Sequence, residues 1–207
     1  MKISLCIIIG FLYGIFITYE IDKQVTTIHH TYLDAKQKTM THLPRIIVFL
    51  CVFIAIVTMY TVTDTIDQLL LYHICMVGLI IAFVDECTYY ILDRTLLILL
   101  CFVVVYTLYH HELTVVRLFH CTFQLLVFYI LLACIPNGLG GGDVKLCLIE
   151  SLLFGFQRYE EMMILAILFG FLSFFCRWLV NKQDFHTYLS FGPSLILAMI
   201  VIIFYSS

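Results

Sequence analysis

Charge, proline and paired cysteine are all scarce in this sequence. Asp, Glu, Lys and Arg make up 12% of its 207 residues, against about 25% in soluble domains. A water-soluble globule could not hide the apolar surface that remains. Three prolines and no low-complexity tract leave no linker and no separable soluble domain, so residues 1–207 read as one unit. The net charge of −3, from 11 basic and 14 acidic residues, gives no footprint for nucleic acid. The nine cysteines are scattered singly and form no Cys-x-x-Cys pair. That excludes a clustered thiolate zinc site and a disulfide framework, and leaves them as small apolar fillers. His29 and His30 are neighbours without a further ligand set, so they read as solvated loop and no metal is expected. No internal repeat stands out.

What is present is hydrophobic: 63% of residues, with a mean hydropathy of +1.06. A spanning helix needs roughly 20 apolar residues. Segments that qualify, or nearly do, lie at about 3–19, 45–61, 68–84, 94–109, 113–135, 145–156, 162–180 and 190–205. The expected fold is therefore all-α and polytopic, with about eight transmembrane helices. The first segment runs directly into Glu20-Ile21-Asp22-Lys23 with no small-residue cleavage site, so it is kept as a span rather than a cleaved signal. Residues 20–44 form the one long polar stretch and are expected to be a short loop. Basic residues favour the cytoplasmic side. The 20–44 loop and the Arg177–Lys182 segment are basic, whereas Thr61–Asp67 and Tyr159-Glu160-Glu161 are acidic. Both termini then face outward, with Lys2, Arg117 and Arg158 as the discordant charges.

The apolar pattern is interrupted by Asn137-Gly138-Leu139-Gly140-Gly141-Gly142-Asp143-Val144-Lys145-Leu146. A carboxylate inside membrane-spanning sequence is costly and usually functional, and glycines allow close backbone approach. By residues alone, Asp143 is equally well read as a helix cap. Asp85 closes the third segment and Asp143 opens the sixth, with two crossings between them. An even number of crossings returns the chain to the same face, so both acids are expected at the cytoplasmic boundary. Two carboxylates held close share one proton and can supply a base and an acid together. Such a pair could hydrolyse a peptide bond with bound water, without metal, thiol, serine nucleophile or cofactor.

Gly-Gly-Gly-Asp-Val-Lys-Leu at 140–146 resembles the GxGD signature of the type IV prepilin peptidases, which are membrane aspartic proteases. Val84-Asp85, five residues, then Ile91-Leu92-Asp93 resembles that family's other aspartate motif, with Leu92 where proline is usual. Gly10-Phe-Leu-Tyr-Gly14-Ile-Phe is similar to the family's glycine-bearing first helix, and Phe191-Gly192-Pro193 to the start of its last helix. The resemblance implies cleavage of prepilin or pseudopilin precursors at the cytoplasmic face of the cell membrane, between a glycine and a hydrophobic residue. It implies that Asp85 and Asp143 are catalytic. It also implies that Gly140, Gly141 and Gly142 give room to substrate or to Asp85, and that Lys145 contacts lipid phosphate or substrate. Full-length members carry a cysteine-containing domain associated with N-methylation in the position of the 20–44 loop. That loop has no cysteine, which resembles compact members without the methyltransferase half.

Further expectations concern single acids. Asp93 is expected to cap the fourth span, Glu86 to be solvated, and Glu150, seven residues beyond Asp143, to be a buried acid on the same helix face. Readings from other classes are a small transporter or channel component whose carboxylates bind an ion or proton, and a non-catalytic assembly subunit. A presenilin-like protease would differ in substrate, and those usually carry a Tyr-Asp motif where Val84-Asp85 stands here.

Overall fold

The computed structural model describes residues 2–31, 43–134, 140–181 and 190–206. Every element among them is helical: α1 (Lys2–Thr31), α2 (Leu43–Thr61), α3 (Thr65–Thr88), α4 (Asp93–Tyr109), α5 (Val115–Cys134), α6 (Gly141–Asn181) and α7 (Gly192–Ser206). Two helices are long and apolar enough to cross a membrane by that measure, Thr65–Thr88 and Gly141–Cys176, and shorter apolar helices accompany them.

The expected loop at 20–44 begins later than its polarity suggests. α1 continues to Thr31, because 20–31 contains neither glycine nor proline to stop it and local bonds such as Gln24 to Glu20 support the extra turns. The rest of that loop, residues 32–42, lies outside the described residues, as does the 135–139 part of the glycine-rich stretch. α1 and α2 form a tight pair. A Cβ on Gly10 would stand 2.8 Å from Val52 Cα, and one on Gly14 2.8 Å from Val48 Cα. Small residues let helix backbones touch where no water drives association.

α3 is the axle. It packs against α1, α2, α4 and α7 and is buried along most of its length from Leu70 to Cys87, as a helix apolar on all sides should be. Asp64 caps its start by accepting from the Ile66 N–H at 3.0 Å. Tyr89 ends it in the left-handed conformation, donating its N–H to Asp85 O at 2.8 Å. The expected cap of α4 is not formed by Asp93. Leu92 occupies that position without a side-chain bond, and Asp93, one residue on, pairs instead with Lys145 Nζ.

α6 is helical over 41 residues but broken at Gly155, where φ is 67° and ψ −169°. That backbone region is essentially open to glycine alone. Arg117 of α5 donates from Nη1 to the carbonyls of Leu152 and Leu153, at 3.3 and 3.4 Å, which satisfies the orphan acceptors of the first half. Beyond the break, Tyr159 interacts with Cys147 and Glu150 of the first half. In a straight helix Tyr159 and Cys147 would stand about 18 Å apart, so the chain doubles back at Gly155. The two halves correspond to the separate segments expected at 145–156 and 162–180. The first half, at about 21 Å by helical rise, is shorter than a hydrocarbon core of about 30 Å.

Candidate functional site

Four helix ends converge at one end of the bundle: the C-terminus of α3 and the N-termini of α4, α6 and α7. Three contacts draw them together. Gly192 N–H of α7 donates to Asp85 Oδ2 of α3 at 3.0 Å. Lys145 of α6 pairs with Asp93 of α4 at 2.5 Å. Gly142 of α6 lies so close to Ile91 that a Cβ there would stand 2.8 Å from Ile91 Cβ.

Asp85 is 5% exposed. Its carboxylate sits at the first residue of α7, where an unsatisfied N–H and the positive end of the helix dipole both favour an anion. The fit is close: a Cβ on Gly192 would lie 2.6 Å from Asp85 Oδ2 and 3.1 Å from its Cγ. Ser190 Oγ donates to Glu86 Oε2 at 3.3 Å and also interacts with the Asp85 carboxylate. Glu86, expected to be solvated and directed elsewhere, is therefore half-buried and part of this cluster, because the chain entering α7 crosses over it.

Asp143 stands in the first turn of α6. The Gly140 N–H donates to its carboxylate, much as the third helical residue reaches back in a capping box. The cap-like role is thus real, but it uses only one oxygen, since Oδ1 is buried with no hydrogen-bond partner. Asp85 and Asp143 are close enough to act on each other electrostatically. Two acids 58 residues apart in sequence are thereby held in one polar cluster roofed by glycines.

The glycines of the motif differ in what stands beside them. Gly142 makes room for Ile91 rather than for Asp85, a Cβ on Gly140 would meet Asp143 itself, and Gly141 has open space around it. The glycine that admits the Asp85 carboxylate is Gly192. The sequence carried a signal for it, since glycine followed by Pro193 marks a helix start and so a spare N–H, but nothing in the spacing says which acid that N–H meets. Lys145, expected to touch substrate or lipid, is tied to Asp93 in this structure and half exposed.

Glu150 lies deeper along the same helix, 0% exposed, with neither carboxyl oxygen hydrogen-bonded and within the electrostatic reach of Asp143. The expectation of a buried acid holds, and Tyr159 of the returning half is within its electrostatic reach. No group of three or more His, Cys, Asp or Glu suited to a metal occurs among the described residues. Chemically, the cluster offers two carboxylates and a buried unpaired oxygen, which suits moving protons between a carboxyl pair and a bound water.

The model of the type IV leader peptidase family matches residues 72–180, over half of the chain and including both aspartates. Searches of curated proteins and of solved structures found no match.

Proposed function

The chain belongs to the type IV leader peptidase family, and we propose that it is a multi-pass membrane aspartic endopeptidase that uses Asp85 and Asp143 as its catalytic pair. Its substrates are prepilin or pseudopilin precursors serving pilus, secretion or competence machinery. It cuts them at the cytoplasmic face, between a glycine and a hydrophobic residue. The observation that carries this reading is that buried Asp85 and half-buried Asp143, from different helices, lie within electrostatic reach of each other, each in one of the two motifs that resemble the family's.

Carboxylates this close carry one proton between them at the least cost. The ionised member takes a proton from a water as that water's oxygen attacks the scissile carbonyl carbon. The protonated member donates to the carbonyl oxygen, so charge does not build up on the tetrahedral intermediate. On collapse, the C–N bond breaks, the leaving nitrogen takes the proton that the first carboxylate had removed from water, and the second carboxylate takes back a proton from a hydroxyl of the intermediate, so the pair again holds one proton. Gly192 N–H, donating to Asp85 Oδ2, favours Asp85 as the ionised member. Asp143, with Oδ1 unpaired, has the oxygen free to carry the proton and donate it.

Co-expression with a prepilin tests this directly. Asp85→Asn and Asp143→Asn should each abolish processing while the protein still accumulates in the membrane. Mass spectrometry of the pilin amino terminus would report the cut site and any methylation together. Wild-type processing by either variant would sink the assignment. The family match gives no support to a transporter or ion-binding component, the other class considered from the sequence.

A further inference from the structure

A cavity of about 820 Å³ lies away from the aspartates. It lies at the other end of the bundle, among Asp67 at the start of α3, Tyr106 near the end of α4, Arg117 and His120 of α5, and Gly155 and Arg158 at the break in α6. Asp67 and Asp85 are 18 residues apart on α3, about 27 Å by helical rise. That is close to the thickness of a hydrocarbon core. On the membrane reading proposed above, on which this inference rests, the cavity sits at headgroup depth on the face opposite the aspartate pair.

Its walls carry both signs of charge. Asp67, Glu112, Arg117 and Arg158 all line it. Two of these are engaged with each other, Arg117 Nη2 to Glu112 Oε2 at 2.8 Å, and Asp67 accepts from His110 at 2.8 Å. His120 is 5% exposed, and its Nδ1 is buried without a hydrogen-bond partner. Arg158 is exposed on the cavity rim. A buried polar atom left unpaired costs of order 1–3 kcal/mol, so an occupant that pairs with it is favoured. A purely anionic ligand would meet Asp67 and Glu112, and Glu160 also acts on His120. A purely cationic one would meet the two arginines. Only a ligand with both charges a few ångströms apart complements this wall.

The walls also run into apolar surface. Val116 lines the cavity and is 75% exposed, Phe156 lines it at 55%, and Phe119 lies next along α5 at 72%. A free phosphate compound would leave those side chains wet, whereas a lipid would cover them with glycerol backbone and acyl chain. We infer that this cavity binds the headgroup of a zwitterionic phospholipid with a primary amine, a phosphatidylethanolamine. Its phosphate is held by Arg158 and His120, and its ammonium by Asp67 and Glu112. The size is ordinary for a ligand site, and the site is independent of the aspartate pair.

The test is native mass spectrometry of the full-length, detergent-purified protein titrated with dihexanoyl phosphatidylethanolamine. One saturable adduct is expected, bound at least ten-fold more tightly than dihexanoyl phosphatidylglycerol and than soluble phosphoethanolamine. Arg158→Gln, a change at an exposed position, should weaken that adduct about ten-fold while leaving prepilin processing unchanged. Thr63→Trp, an exposed residue of the same wall, should block the adduct by filling the cavity. Equal binding of the glycerol lipid would overturn recognition of the amine. Equal binding of phosphoethanolamine would overturn the lipid as occupant. Undiminished binding in both variants would overturn the site itself.

Discussion

The two ends of the bundle handle their carboxylates in opposite ways. At the Gly155 end the carboxylates have partners, although His120 Nδ1 is left over. Asp64 accepts from Tyr109 Oη at 2.8 Å, Asp67 from His110, Glu112 pairs with Arg117, and Arg117 also caps two helix carbonyls. At the aspartate end Asp143 Oδ1 is left over, and between the two ends so are both oxygens of Glu150. The first arrangement stabilises helix ends and a chain reversal. The second costs stability, and functional sites are where such costs are retained. The difference teaches that burial alone does not mark a site. Asp143 is distinguished by having a second acid nearby and an unpaired oxygen.

The comparison can be broken most severely at the pair itself. Asp143→Asn or Asp85→Asn should lower prepilin processing by about 10²–10⁴-fold or more, read as the ratio of processed to unprocessed pilin. Asp143→Asn should leave the melting temperature in detergent unchanged or raised, because the amide oxygen can keep the bond from the Gly140 N–H and stays neutral beside Asp85. A large fall in melting temperature would mean that Asp143 serves chiefly as a structural cap.

At the other end, Gly155→Ala should destabilise by about 1–3 kcal/mol from backbone conformation. The added methyl would also stand 3.2 Å from Arg117 Nε. Thermal unfolding should show the loss with processing preserved in the folded fraction. A neutral result would remove the argument that only glycine reverses the chain there. Gly192→Ala forces a methyl against Asp85, which should cost about 1–3 kcal/mol as overpacking and reduce processing as well. Stability loss without activity loss would separate Gly192 from the site.

A smaller effect is expected at Glu150. Replacing a buried acid that lacks partners by an apolar residue of similar volume is commonly neutral or stabilising, so Glu150→Leu should melt no lower than the parent. A marked drop would reveal a partner that Glu150 depends on. The smallest effect is at Asp64, whose carboxyl is held below the usual range by the Ile66 N–H first and by Tyr109 second. A depressed folded-state value means that the cap's stabilisation is present above the ordinary carboxylate range and is lost as pH falls through the folded value. Asp64→Asn should flatten that acid dependence of melting and leave the neutral-pH value almost unchanged.

Much of this architecture is legible along the chain because helix formation is local. The apolar runs locate α2 to α5 and α7 to within a few residues, and both aspartates stand out as acids closing or opening such runs. Polarity misleads at 20–31, since leaving an apolar environment does not end a helix in the absence of a breaker. It misleads again at Glu86, whose half-burial depends on a segment a hundred residues later, around Ser190. The assignment of close approach to Gly140–Gly142 follows from their place in the motif, whereas the glycine against Asp85 is on a different helix.

By itself the sequence determined the all-helical class, the order of the helices, the two acids worth examining and the family. Each of these rests on side-chain chemistry and on spacing within one segment. Only the tertiary structure decided that Gly192 and not Gly142 receives Asp85, that Asp143 keeps one oxygen unpaired, that Gly155 folds a 41-residue helix back on itself, and that a cavity with charges of both signs lies at the far end. These depend on which helix ends meet. That is set by packing between segments distant in sequence, and local periodicity carries no record of it.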